Sequence, residues 1–209
     1  MITDSTKIKR AVVTIKIIGV GGGGNSVLER ISEGNDFDVE LIAINTDAKH
    51  LAYMEEHDIK TIAIGRELTK GLGTGGVTDI GEAAAKSDAE KIKAAMRGAD
   101  LVFVTASMGG GAGTGAAPVV AKLAKDMGIL TIGVVTVPFS FEGPRKKRIA
   151  NEGIAKMQGN LDALLAIQND NLLKLPENKQ MSLVNAFKAA DDVLRQAISC
   201  ITELILTTG

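Results

Sequence analysis

Two glycine-rich runs constrain this chain more than anything else in it. Gly19 to Asn25 and Gly109 to Gly115 each stand at the end of an apolar, β-branched stretch and open onto a helical pattern. A strand that runs through glycine into a helix brings the backbone close to a ligand, turns N–H groups toward it and adds the positive end of the helix dipole. One such run is weak evidence of a phosphate site. Two of them suggest a polyphosphate held from both sides.

The segments between the runs define the fold class. Residues 11–20, 39–45, 59–64, 100–105, 129–137 and 161–168 read as strands, most of them buried on both faces because they barely alternate. Residues 25–32, 48–56, 79–97, 114–127 and 144–158 read as helices, with Pro144 suited to a first turn. Residues 65–78, rich in glycine, read as one long irregular loop, which inside a compact domain is often functional. Alternation of strand and helix predicts an α/β fold, a three-layer, Rossmann-like parallel sheet. With strand order 3-2-1-4-5-6, strands 1 and 4 are neighbours at the switch point, so the two glycine runs converge on one crevice. Asn45, Thr46 and Asp47 after strand 2, and the 65–78 loop after strand 3, close the same side.

Composition narrows the function classes. The 209 residues, 45% apolar, suffice for a substantial core. With 24 basic and 25 acidic residues, the net charge of −1 gives no reason to expect nucleic acid or an anionic membrane as partner, so an anionic ligand must be caught locally. The single cysteine, Cys200, cannot form an internal disulfide, and neither His50 nor His57 has a zinc-type neighbourhood, so no protein-built metal site is expected. Residues 1–10 are polar without a signal-peptide core, and no apolar run approaches the roughly 20 residues of a membrane span. The expectation is a cytoplasmic protein.

Which nucleotide is bound stays open at this level. Gly19, Gly21 and Gly24 also satisfy the dinucleotide fingerprint, and Asp47 stands near the acidic position at the end of strand 2, so an NAD-binding oxidoreductase domain remains an alternative. Against it, a dinucleotide fold has no use for a second, denser phosphate loop after strand 4. A P-loop nucleotidase is disfavoured further, because no Gly-Lys-Ser/Thr follows either run. A nucleotide-free scaffold is the third reading.

The second run, Gly109, Gly110, Gly111, Ala112, Gly113, Thr114 and Gly115 with Pro118 behind it, resembles the signature loop of the tubulin/FtsZ superfamily, usually Gly-Gly-Gly-Thr-Gly-Thr/Ser-Gly. Further segments resemble the bacterial members of that family in order along nearly the whole chain: 19–25, 45–48, 71–73, 138–143, Asn169 with Asp170, and 186–195. The resemblance implies a GTPase that binds GTP or GDP, with magnesium on GTP, and polymerises head to tail into the bacterial division ring alongside other division proteins.

It also implies roles for particular positions. The backbone of Gly21, Gly22, Gly23, Gly24, Asn25 and Ser26 and of 109–115 would hold the phosphates, helped by Asn45, Asp47, Thr74 and Gly75. Glu142 would contact the ribose, and Lys146 the sugar and phosphates. Asp191 would accept from the guanine ring N–H and amino group, Asn169 would donate to a base acceptor, and Phe187, one helical turn before Asp191, would stack on the ring. Such a pairing favours GTP over ATP, since a buried carboxylate left unpaired costs about 1 to 3 kcal/mol. Taken alone, Asp191 with Asp192 also reads as a solvated helix face, Phe187 as core, Asn169 with Asp170 as a turn or cap, and 145–148 as a charged helix face.

The chain departs from the family pattern in several places. Ala112 stands at a threonine position of the signature loop, and Lys146 where arginine is usual, a point charge without the bidentate geometry. The 73–79 loop also differs. Residues 182–208 read as one long helix, with Leu183, Phe187, Ala190, Leu194, Ala197, Ile198, Ile201 and Ile205 at three- and four-residue spacing and Gly209 as a stop signal. The expected division is a nucleotide-binding domain over 1–181 and this central helix over 182–209. In the family the helix leads into an acidic loop that completes a neighbouring subunit's site and then into a second domain. Neither is present in these residues, so no catalytic residue is assigned within the chain, little hydrolysis is expected from it alone, and the helix's apolar stripe is expected to seek a partner.

Overall fold

The computed structural model describes residues 13–34, 39–175 and 181–208. The charged amino-terminal segment, the expected strand start at 11–12 and the stop signal at Gly209 lie outside the described residues.

Six parallel strands form one sheet in the order β3-β2-β1-β4-β5-β6. They are β1 Ile15–Val20, β2 Glu40–Asn45, β3 Lys60–Ala63, β4 Leu101–Ser107, β5 Leu130–Val137 and β6 Ala163–Gln168. The register pairs Gly19 with Ala43 on one side and Thr105 on the other, so β1 and β4 end together. The helices are α1 Gly21–Glu33, α2 Ala48–Glu55, α3 Arg66–Thr69, α4 Thr78–Ser87, α5 Ala89–Met96, α6 Gly111–Asp126, α7 Pro144–Gln158, α8 Asn169–Leu172 and α9 Leu183–Thr208.

Period-two alternation sends side chains of the central strands to two separate cores. Ile15 and Ile17 join Val27 and Leu28 of α1, Leu51 and Met54 of α2, and Leu194 and Ile198 of α9. Ile18 and Val20 join the opposite cluster with Ala84 of α4, Ile92 of α5, Val120 of α6 and Met157 of α7. Both faces of the central strands are therefore buried, which explains their weak alternation in sequence.

The structure corrects several element boundaries. The two helices after the glycine runs begin at Gly21 and Gly111, not at 25 and 114. Glycine's poor helix propensity is overridden because these turns pack where no side chain fits: a Cβ on Gly24 would lie 2.5 Å from the Thr105 carbonyl oxygen. The single helix expected at 79–97 is two helices, broken at Asp88, whose carboxylate turns away to accept the Gly65 N–H at 2.7 Å. The 65–78 loop contains the short α3, closed at Lys70 in the left-handed region with φ 53°. Most strands read as buried on both faces, and the two edge strands are the exceptions: β3 leaves Lys60 and Ala63 exposed, and β6 Ala163, Leu165 and Ala166. Along α9, Ala190, Leu194 and Ile198 are buried, whereas Leu183 and Leu204 are exposed.

Candidate functional site

The ends of β1 and β4 open on a cavity of about 330 Å³. Gly22, Gly23, Gly73 and residues 109–113 contribute wall with little or no side chain. α1 and α6 both begin here, and neither has a side chain capping its first turn. The first N–H groups of a helix lack intrahelical acceptors, so two positive dipole ends converge on one space.

The two runs are held by each other. Gly21 takes φ 71°, and a Cβ there would lie 2.5 Å from the Gly113 nitrogen. Gly109 takes φ 106° against Pro138 while its N–H donates to Thr114 Oγ1 at 2.8 Å. Gly110 differs: its φ is −86° and nothing lies within 4 Å of an added Cβ. Some glycines thus serve packing, and Gly110 serves open space.

Buried amides brace the loops. Asn25 Nδ2 donates to the Gly19 carbonyl, and Asn45 Nδ2 donates to Asn25 Oδ1, each at 2.8 Å. Asn45 Oδ1 in turn accepts the Thr46 N–H at 2.8 Å. Asp47 caps α2, its Oδ1 accepting from the Lys49 and His50 N–H groups at 2.9 and 3.2 Å. The Ala48 N–H donates to the Gly71 carbonyl and the Gly73 N–H to the Thr46 carbonyl, tying the 70–76 loop to the end of β2. Ser26 Oγ donates to the Gly22 carbonyl, so its hydroxyl is spent inside α1.

A 3-10 turn, Ser140–Glu142, brings Glu142 to the cavity, and the first turn of α7 brings Lys146. Glu142 Oε1 accepts the Phe139 N–H at 2.9 Å, and its Oε2 pairs with Lys146 Nζ at 3.0 Å. Asp170 holds this turn by accepting from the Ser140 N–H and hydroxyl, bonds that keep its carboxyl below the usual range.

Of the residues expected at the site, Gly22, Gly23, Asn45, Asp47, Thr74, Gly109, Gly110, Gly111, Ala112, Gly113, Glu142 and Lys146 line the cavity. Gly21, Gly24, Asn25, Ser26, Thr114 and Gly115 belong to the same turns but do not line it, and neither does Gly75. Val20, Thr46, His50, Gly73, Ser107 and Met108 line it as well. Val20 lies within the first run, and Thr46 and Gly73 in segments expected to close the crevice; for the others the only signal was adjacency, Ser107 and Met108 preceding the second run and His50 following Asp47 by three residues.

Asn169, Phe187 and Asp191 do not line the cavity. Phe187 meets Phe139 and Phe141 edge-on, with centroids 5.6 and 6.1 Å apart, and is 44% exposed. Asn169 is buried, with Oδ1 lacking a hydrogen-bond partner. Burial raises the Asp191 carboxyl to about 7; Arg30 lowers it, while Asp192 and Glu29 add to the rise. Arg30 Nε stands 4.0 Å from Asp191 Oδ2, while its Nη1 is held by Asp192 Oδ1 at 3.0 Å. The turn at 140–142 belongs to both regions, with Glu142 on the cavity and Phe141 in the aromatic group.

Residues 14–177 match the model of the Tubulin/FtsZ family, GTPase domain. An empty FtsZ dimer from M. jannaschii is similar at 43% identity and TM-score 0.88, covering 95% of this chain and 57% of that one. A GTPγS-bound protofilament of CetZ2 from Haloferax volcanii is similar at 25% identity and TM-score 0.77, covering 92% and 59%. CetZ1 from the same organism, a GDP-bound monomer at 23% identity and TM-score 0.77, covers 88% and 58% and shows the shared fold alone. The chain thus spans somewhat more than half the length of these relatives, and the dehydrogenase alternative gains no support from them.

Proposed function

The chain belongs to the Tubulin/FtsZ family, and from that premise we propose that its cavity binds the phosphates of GTP or GDP. The observation that carries this reading is the pair of uncapped helix starts, α1 and α6, facing one glycine-walled space. Backbone N–H groups at 22–23 and 110–113 hold the phosphates, and Glu142 and Lys146 take the ribose side. Asp191 and Asn169 read the guanine edge and Phe187 packs on its face. Guanine's ring N–H and amino group would supply the donors that the buried Asp191 carboxylate lacks, favouring its ionised form.

No cluster of metal-ligating side chains occurs among the described residues. Magnesium would then come with the triphosphate, and Asp47 is one of two wall carboxylates, with Glu142, that could support it. The cavity's two carboxylates, Asp47 and Glu142, are both engaged by internal donors. Activation of water for hydrolysis then needs a group from a second molecule, which makes the working form a head-to-tail polymer of FtsZ type, a cytoplasmic division filament with a second domain and division-protein partners. The FtsZ dimer and the CetZ2 protofilament among the relatives support that assembly. The amino-acid resemblance points to bacterial members, while these solved relatives are archaeal.

A thermal-shift series tests the ligand. GDP and GTP should raise the melting temperature, since a ligand selective for the native state stabilises by mass action, and ATP and NAD should not. A response to NAD, or silence to every nucleotide, contradicts the proposal.

A further inference from the structure

The cavity is poorly supplied with basic side chains for a site that takes several phosphates. Among the residues lining it, Lys146 and His50 alone carry basic groups, and Lys146 is already paired with Glu142 at 3.0 Å. Asp47 adds a carboxylate to the same wall. His50 lies in the first turn of α2, its backbone N–H spent on Asp47 Oδ1.

Its ring is placed beside the first turn of α1. A Cβ built on Gly22 would stand 3.8 Å from His50 Cε1 and 3.9 Å from Nδ1, so the imidazole lies alongside one of the uncapped N–H groups. His50 Nε2 is buried without a hydrogen-bond partner, and so is Thr46 Oγ1, four residues earlier, just before α2, on the same wall. Buried polar atoms are rarely left unpaired in native proteins. Two orphans four residues apart, both in cavity-lining residues, mark a place where a hydrogen-bonding group is missing.

We propose that His50 is a further phosphate-contacting residue of this site, its ring N–H donating to an anionic ligand oxygen directly or through one water that Thr46 Oγ1 also holds. The proposal rests on the guanine-nucleotide reading of the cavity and adds to it a side-chain donor on the α2 wall, beside the main-chain donors of α1. Glutamine at this position keeps an amide donor near Nε2, whereas leucine fills similar space without one.

The test uses the whole 209-residue chain. Its two histidines are His50 and His57, so a His57→Gln variant assigns the imidazole resonances, and His57, bonded to the Tyr53 carbonyl on the far turn of α2, serves as the internal control. On saturation with GDP the His50 ring carbon and nitrogen resonances should move and those of His57 should not. Calorimetry should find GDP affinity lowered roughly 10- to 100-fold in His50→Leu, the loss of one hydrogen bond to a charged oxygen, and largely restored in His50→Gln. Unmoved His50 resonances in a chain that demonstrably binds GDP overturn the proposal, even if His50→Leu is weakened, because the residue is then structural. Should His50→Leu fail to fold, the wild-type spectra and His50→Gln decide by themselves. Absence of GDP binding to the wild-type chain overturns instead the nucleotide reading on which the proposal rests.

Discussion

The proposed phosphate end and the proposed base end of the site are built on opposite plans. At the cavity most of the proposed donors are main chain, fixed by packing so close that Gly21 and Gly113 exclude a side chain between them. At the base end the groups are side chains of α9, α8 and the 140–142 turn, with Phe187 44% exposed and Asp191 raised to about 7 by burial. Backbone donors tied into two helices and a sheet need no reorganisation to receive a phosphate. Side chains that are half exposed or half protonated must be ordered or ionised when a base arrives. Affinity should therefore reside at the glycines and selectivity at α9.

Substitutions can separate the two ends, and the largest effect is expected at the glycines that pack. Gly21→Ala forces a left-handed residue against the Gly113 nitrogen, so the chain should lose about 3 kcal/mol of stability or more, read as a lower denaturation midpoint. Gly110→Ala meets no neighbour and has ordinary backbone angles. It should melt like the parent yet lose GDP, GTP and pyrophosphate alike by tenfold or more, in calorimetry, as its methyl stands in the phosphate space.

Asp191→Asn should leave pyrophosphate binding intact and cut the preference for GDP over ADP by roughly 10- to 100-fold. The same variant tests the electrostatics. A carboxyl at about 7 in the folded chain against an ordinary 3.8 keeps a proton that the unfolded chain has lost, so its contribution to stability falls as pH rises between those values. Asp191→Asn should remove that slope and melt higher than the parent at pH about 8, by about 1 kcal/mol or 2–4 °C. GDP affinity of the parent should rise as pH is raised through about 7, and that of the variant should stay flat. The smallest effect belongs to Phe187→Ala, with about fivefold weaker GDP binding from lost ring contact of about 1 kcal/mol and an almost unchanged melting temperature.

The sheet and the phosphate end were legible in sequence because their signals are local. β-branched runs mark the strands, and glycine at the ends of β1 and β4 marks the crevice that the observed order brings together. What was misread depended on distant partners. Gly21 to Gly24 look like a loop to any local reading and are helical because β4 and α6 press on them. The break at Asp88 depends on Gly65, and the pairing of Arg30 with Asp191 and Asp192 joins α1 to α9 across most of the chain. His50 carried no phosphate signal in sequence. It takes its place only once α2 is laid beside the first turn of α1.

The central claim is that one end holds phosphates by backbone and the other selects guanine by side chain. It is tested most directly by calorimetric titration of the chain with GDP, GMP and ADP under one set of conditions. The account predicts that GDP binds tightest, that GMP loses about 100-fold or more with the β-phosphate, and that ADP loses roughly 10- to 100-fold with the guanine edge. Equal affinity for GDP and GMP, or for GDP and ADP, would contradict it.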